Sequence, residues 1–270
     1  TTNTDNKVST FDSDGFTFVG SSGPINGDGN TFAAWNWKAG GTAPSNTYAV
    51  KVVSDSGNKY RFDDYGTSAI TLELQEGGTF TFDQSDSSNS GHPIRFSTTA
   101  DGTHGGGSEY TTGVTTNGTP GQAGAYTRIT VAGSAPTLYY YCSVHSGMGG
   151  QANTDSLFGF TNVKGATQTV VSPNDTAGFS IIRFTGTGGD TTIGHGLSSA
   201  PKMIFLKERN PATTRNWRVY NESIGNNKRL LLDSTTASTT DATAFNSTSP
   251  TSSVFSLGTS VGTNGSGKNY

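Results

Sequence analysis

Short runs that alternate between apolar and polar side chains are the feature that most constrains how this chain can fold. Residues 48–53, 70–74 and 79–82 each alternate in this way, and turn residues rich in glycine separate them. A period of two places every second side chain on the same face of a β-strand. Long runs of helix-forming residues are absent, so the sequence predicts short strands joined by tight turns.

Composition agrees with an all-β fold and argues against several functions. Only 14% of the residues are charged, and 37 of 270 are glycine. The net charge is −3, and nucleic-acid or anionic-membrane binding requires clustered Lys and Arg. The nearest cluster, Lys207, Arg209, Arg215 and Arg218, is interpreted as a solvated face rather than an anion site. No apolar run is long enough to cross a bilayer. We therefore expect no nucleic-acid partner and no membrane insertion.

The pattern divides the chain into three stretches. Residues 1–44 hold the closing strands of a β-sandwich repeat, with strands expected at 16–19 and 31–38, followed by a Gly/Pro linker. Residues 45–155 alternate strands and turns and form one domain. Residues 156–270 form another β-sandwich repeat, and its expected strands lie at 179–185, 203–208, 216–220, 229–233 and 254–257.

An internal repeat relates the two ends of the chain. Asn26-Gly-Asp-Gly29 and Asn264-Gly-Ser-Gly267 each follow an aromatic strand and precede another. We interpret the Asn-Gly pair and the second glycine as sources of the positive φ angles of a tight hairpin. The first copy continues into residues 33–38, and the second does not. Either the chain is cut from a longer tandem array, or a strand equivalent to 31–38, from this chain or a neighbour, completes the C-terminal sandwich.

One segment carries donor atoms at a spacing suited to a metal. Cys142 ends a β-propensive run, His145 follows three residues later and Met148 six residues later. Type 1 copper sites use one thiolate, two imidazoles and a weak axial thioether. Gly147 and Gly149 help the loop to bend, so that His145 and Met148 approach the same ion as the cysteine.

The second imidazole must come from an earlier strand, and His92 fits this requirement. It precedes Cys142 by 50 residues, which leaves room for the intervening strands of a sandwich. The predicted ligand set is therefore His92, Cys142, His145 and Met148.

These residues resemble the cupredoxin family. The resemblance rests on Thr79-Phe-Thr-Phe82, on Gly-His92-Pro and on Tyr139-Tyr-Tyr-Cys142-x-x-His145-x-x-Met148, whose short ligand loop looks like that of amicyanin. It implies a Greek-key sandwich over residues 45–155. It also implies one type 1 copper ion held by a trigonal His92, Cys142 and His145 set, with Met148 as axial ligand. The implied role is reversible electron transfer between Cu(I) and Cu(II).

Two alternatives to a working copper site stay open. The fold can be kept as a scaffold without copper, and a thiolate with an imidazole three residues away also suits zinc. Pro93 and Val144 stand where many cupredoxins have Asn and Pro, which affects the surroundings of the ligands more than ligation itself. The glycine-rich residues 98–124 can cap or reshape the site.

Other candidate residues carry weaker signals. His104 is expected in an exposed loop and His195 in a turn, and Asp63 and Asp64 are interpreted as turn residues. No nucleophile elbow, phosphate loop or zinc-protease helix is present, so we expect no enzymatic activity. A hydrolytic depolymerase would need carboxylates converging in a cleft.

The flanking stretches resemble lectin-like sandwich repeats of marine bacteriophage virion proteins. The matching segments are residues 11–38, 177–188, 194–207, 216–220, 230–233 and 252–257. The resemblance implies a second, lectin- or jelly-roll-like β-sandwich and a tail fibre or other surface appendage.

Together these observations predict a structural and host-interaction module of a virion appendage or extracellular filament that carries a cupredoxin-like domain. We expect it on the virion surface or outside the cell, as a homo-oligomer or tandem filament that adheres to a cell-surface glycan. The alternative is a secreted or periplasmic blue-copper electron carrier.

Overall fold

The computed structural model describes residues 7–13, 15–19, 29, 31, 43–154, 158–210 and 215–270, and the chain divides into two compact units. In the first unit, Thr1–Lys38, strands β1 (Lys7–Phe11) and β2 (Phe16–Val19) form an antiparallel hairpin. The strand predicted at 16–19 is therefore confirmed. Of the strand predicted at 31–38 only residue 31 is described, so completion of the C-terminal sandwich by such a strand stays a prediction.

The second unit, Ala39–Tyr270, begins with two five-stranded sheets. In spatial order the first sheet contains β4 (Asn58–Phe62), β3 (Ser45–Ser54), β6 (Thr79–Asp83), β10 (Tyr126–Thr130) and β9 (Val114–Asn117). The second contains β5 (Leu72–Glu73), β12 (Gly150–Asn153), β11 (Leu138–Cys142), β7 (Ile94–Ser97) and β8 (Glu109–Tyr110). Neighbouring strands run antiparallel except β3 with β6 and β5 with β12.

The two sheets pack face to face around one aromatic core. Ring centroids of Phe62 and Tyr140 lie 5.2 Å apart, and those of Phe82 and Phe96 lie 5.5 Å apart, each pair joining one sheet to the other. These four side chains are at most 1% exposed. Burial of such a side chain contributes about 1.5–3 kcal/mol, so the apolar faces of the alternating strands stabilise the packing of the two sheets. The predicted all-β sandwich is confirmed.

A three-stranded sheet extends this core. It contains β13 (Phe160–Asn162), β14 (Thr169–Asn174) and β15 (Phe179–Arg183). Phe160 and Val171 belong to the same buried cluster as the sandwich. The Tyr48 hydroxyl also donates to the Thr161 carbonyl at 2.7 Å, and both partners are buried.

A second core lies towards the C-terminus. Around it lie β16 (Thr191–Gly194), β17 (Met203–Leu206), β18 (Arg218–Asn221), β19 (Lys228–Leu231), β20 (Thr239–Thr240), β21 (Val254–Leu257) and the short helix α1 (Val261–Asn264). Strand β21 matches its predicted range, and β17, β18 and β19 differ from theirs by one or two residues at an end. No strand was predicted at β16 or β20. Three 3-10 turns complete the described elements: Ser87–Asn89, Gly102–Gly105 and Glu222–Ile224. No helix among the described residues has the length and hydropathy needed to cross a bilayer.

The repeat turns differ in part from their predicted geometry. Gly29 and Gly267 both have positive φ angles, 74° and 67°, as predicted for the second glycine. The prediction of a positive φ at Asn264-Gly265 is wrong, because Asn264 ends helix α1 and Gly265 has φ −61°. The buried Asn264 amide instead donates to the carbonyls of Gly189 and Gly258 and so ties separate loops together.

Candidate metal centre

Three predicted ligands meet at one end of the sandwich. Cys142 is the last residue of β11 and pairs with Ile94, the first residue of β7. His92 lies two residues before β7, so the pairing of the two strands brings it beside the cysteine. His145 returns to the same place through the loop that follows β11.

The distances between the donor atoms fit a single ion. Cys142 Sγ lies 3.9 Å from Nδ1 of His92 and 3.8 Å from Nδ1 of His145. The ligand atoms of these three residues all lie within 4.8 Å of one another. Metal–sulfur and metal–nitrogen bonds of about 2.3 and 2.0–2.1 Å place a thiolate and an imidazole about 3.8 Å apart in trigonal geometry. The cluster is therefore already arranged as a metal-binding set.

Burial differs strongly between the members of the set. Cys142 is fully buried, His92 is partly buried and His145 is exposed, next to Val144 with 56% of its surface exposed. A ligand exchanging with solvent would therefore reach the cluster from the His145 side.

Met148 lies at the inner end of the same loop. It is 1% exposed and belongs to the main core cluster, and it also lines an open pocket together with His145. Its carbonyl oxygen accepts from the Tyr60 amide at 3.0 Å. The backbone of Met148 is thus fixed to strand β4.

The ligand loop is held from outside by the segment predicted to cap it. Asp101 Oδ1 accepts from the Gly147 amide at 2.8 Å, and His104 Nε2 lies 3.1 Å from the Cys142 carbonyl oxygen. A carbonyl only accepts, so His104 Nε2 carries the proton in this contact. His104 is exposed, as predicted, and it lines the same pocket as His145 and Met148.

Glycine is required where the loop returns to the sheet. A Cβ atom at Gly149 would lie 1.7 Å from the Tyr140 carbonyl oxygen, so no other residue fits without movement of the backbone. Gly147 has a φ of 73°, in the left-handed region that favours glycine. The sharp return of this loop therefore depends on both residues.

The electrostatics of the centre favour neutral imidazole at His92. Burial, and then the neighbouring His145, lower the pKa of His92 below its ordinary value. An unprotonated ring nitrogen is what a metal requires. Burial, and then the charge of Cys142, raise the pKa of Tyr60 far above its ordinary range. The Tyr60 hydroxyl therefore stays protonated and donates to the His92 carbonyl at 2.9 Å.

The remaining candidates have structural explanations. His195 is 1% exposed; its Nδ1 accepts from the Leu197 amide at 3.1 Å, and its Nε2 faces the Thr251 carbonyl at 3.2 Å. Asp63 and Asp64 occupy a turn with positive φ angles, as interpreted from the sequence.

Two residues of the basic cluster, Lys207 and Arg215, make polar contacts within the chain. Arg215 pairs with the buried Glu208 carboxylate at 2.7 Å, and the Lys207 ammonium donates to the Arg215 carbonyl. The interpretation of the cluster as a solvated face therefore holds for the exposed Arg209 but only in part for the partly buried Lys207 and Arg215.

Sequence reasoning missed the polar groups that fix the ligands. Gln84, Asn89 and Tyr60 bind the peptide groups at or beside His92, and Asp101 binds the ligand loop. The one signal in the sequence is Pro93, which removes an amide donor beside a ligand and so requires other groups to hold this segment.

Comparison with known families identifies the parts of the chain on either side of the candidate ligands. The profile of a domain of unknown function, DUF7483, matches residues 1–60 and 150–270. The chain belongs to this family. The unmatched residues 61–149 contain all four predicted ligands. Searches of curated proteins and of solved structures found no match.

Proposed function

We propose that this DUF7483 chain holds one copper ion in a type 1 site and displays it on a virion appendage or extracellular filament. The observation that carries the copper site is the convergence of one sulfur and two Nδ1 atoms within 4.8 Å. One thiolate with two imidazoles is the trigonal donor set of blue-copper centres.

Copper is favoured over zinc by the number and softness of the donors. Structural zinc sites use four Cys, His or carboxylate ligands in a tetrahedron. Among the described residues the cluster contains three such ligands. The residue available to complete the set is Met148, whose thioether is a ligand for copper rather than for structural zinc. We assign it the weak axial position.

The protein's part is to hold the donors at fixed positions. Cys142 lies on a strand, His92 is fixed by the groups around its peptide, and the ligand loop is tied down at Gly147 and Met148. Copper, when bound, supplies one-electron exchange between Cu(I) and Cu(II). The exposed edge at His145 is the route by which a redox partner approaches the centre.

Copper titration of the metal-free protein tests this proposal. One equivalent of Cu(II) is expected to produce an intense visible thiolate-to-copper band, and Cys142→Ser is expected to give no such band. Met148→Leu preserves burial and should keep the band while shifting its position. A protein that gives no such band, or a Cys142→Ser variant that gives the same band, contradicts the copper site.

The appendage role is supported by the organisation of the chain. The family profile matches both flanks of residues 61–149, and Gly29 and Gly267, at equivalent positions of the sequence repeat, both have positive φ angles. Electron micrographs of purified protein should show filaments or symmetric oligomers, and glycan arrays should show adhesion. A strictly monomeric protein that exchanges electrons rapidly with a redox partner would favour the electron carrier instead.

A further inference from the structure

The peptide segment that carries His92 has an unusual hydrogen-bonding requirement. Pro93 follows His92 and has no amide hydrogen, so the segment cannot form a regular ladder of backbone bonds before β7 begins. The His92 carbonyl and the Ile94 amide, on either side of the proline, therefore need partners from elsewhere.

One buried side chain meets both requirements. Gln84 Nε2 donates to the His92 carbonyl at 2.8 Å, and Gln84 Oε1 accepts from the Ile94 amide at 3.1 Å. Gln84 is 1% exposed, and Ile94 is fully buried. The single amide group of Gln84 thus spans Pro93 and takes the place of a missing strand partner.

The backbone of Gln84 is itself fixed. It follows directly after β6; its amide donates to the Ala125 carbonyl and its carbonyl accepts from the Gly121 amide, both at 2.8 Å. The amide group therefore reaches His92 from a rigid base. The hydroxyl of Thr127 donates to the Ile94 carbonyl at 2.9 Å and lies 3.4 Å from Gln84 Oε1.

We propose that Gln84 is a positioning residue for the copper ligand His92, acting through its two hydrogen bonds across Pro93. This inference rests on the proposed copper site. A ligand must be held within about 0.5 Å of its productive position. The direction of the His92 ring follows from the direction of its backbone, which the Gln84 amide sets together with the Tyr60 hydroxyl and the Asn89 carbonyl.

The test replaces Gln84 by Met, which has similar length and no hydrogen-bonding amide. Competition with a chelator should show copper affinity reduced about 10–100-fold, the range for groups that orient metal ligands. The thiolate-to-copper band should shift in wavelength. Tyr48→Phe is the matched control, because it also removes one buried hydrogen bond, to the Thr161 carbonyl, without touching His92. The control should lower thermal stability and leave copper affinity and spectrum unchanged.

A second measurement separates this inference from the copper proposal. In the metal-free protein the NMR chemical shifts of the His92 ring should change in Gln84→Met and remain unchanged in Tyr48→Phe. If Gln84→Met does not fold, Gln84→Asn, which draws the amide back by one methylene, should show the same effects at smaller size.

The outcomes are distinct. If the wild-type protein shows no copper band but the His92 resonances shift in Gln84→Met, the copper site is contradicted. The positioning of His92 by Gln84 is then still supported. Wild-type affinity, spectrum and His92 resonances in a folded Gln84 variant overturn the positioning role. The positioning role is also overturned if Tyr48→Phe perturbs the copper spectrum as much as Gln84→Met does.

Discussion

At the scale of single residues, His195 shows how burial selects one protonation state. Its Nδ1 accepts from the Leu197 amide and its Nε2 faces a carbonyl oxygen, so the neutral ring with a proton on Nε2 satisfies both neighbours. Protonation of Nδ1 would break the first bond. Burial accordingly lowers the pKa of His195, although the Thr251 carbonyl opposes this in part.

This lowered pKa predicts a loss of stability in mild acid. As pH falls through the ordinary histidine range near 6.5, the unfolded chain takes up the proton before the folded protein does. The free energy of unfolding therefore decreases. Urea unfolding of metal-free protein at pH 7.5 and 5.5 should show a larger loss for the wild type than for His195→Asn. Asparagine keeps an acceptor for the Leu197 amide and does not titrate. Equal losses in the two proteins would contradict the assignment.

The three ligands that cluster could be found from the sequence because their residue types are rare in it. The chain has a single cysteine and four histidines, so their order and spacing are informative. Gln84 and Asp101 could not be found in this way. Glutamine and aspartate are ordinary surface residues, and here they acquire a role only through contacts between distant segments.

At the scale of structural elements, the candidate metal centre depends on hydrogen bonds that connect one loop to another. Asp101 has a φ of 57° at the start of the 3-10 turn Gly102–Gly105, and it presents its carboxylate to the Gly147 amide. Gly102 approaches the Tyr141 ring so closely that a Cβ atom there would lie 2.4 Å from it. This 3-10 turn therefore lies against β11 and fixes the ligand loop from outside.

Removal of the Asp101 carboxylate should loosen the ligand loop. Asp101→Ala is expected to weaken copper binding by about 10-fold, as for other groups that support metal ligands. Asp101→Asn keeps an oxygen acceptor for the Gly147 amide and should bind copper nearly as well as the wild type. Chelator competition measures both affinities. Equal weakening in the two variants would assign the effect to charge rather than to the hydrogen bond.

The strands were easier to predict than their ends. Strand β21 was predicted with both ends correct, whereas β5 retains only Leu72–Glu73 of the five predicted residues. Strand β5 pairs with β12 over two residues. The number of residues that pair depends on the partner strand and cannot be predicted from the sequence of β5 alone. The prediction of a positive φ at Asn264-Gly265 was wrong for a similar reason, because tertiary contacts of the Asn264 side chain outweighed its turn preference.

At the scale of the whole molecule, the second unit contains two hydrophobic cores. Ile182 of strand β15 packs against both cores and so joins them. The candidate centre belongs to the first core, since Cys142 and Met148 are members of it. A bound ion would therefore act on the stability of that core.

Copper should raise the melting temperature of the protein. A ligand that binds only the folded state stabilises it by about 4.1 kcal/mol at 1,000 times its dissociation constant. For a chain of this size that corresponds to a shift of roughly 8–16 °C. Differential scanning calorimetry should show the shift in the wild type and its loss in Cys142→Ser. Equal shifts in both proteins would indicate copper binding elsewhere on the chain.

The hydrogen bond between the Tyr60 amide and the Met148 carbonyl bears on the evolution of the chain. It joins residues at either boundary of the stretch that the family profile does not match, residues 61–149. A stretch whose ends adjoin can be added to an existing domain, or removed from it, without displacing the residues on either side. The ends of the ligand-bearing stretch thus have the closeness that an insertion between Tyr60 and Gly150 would need.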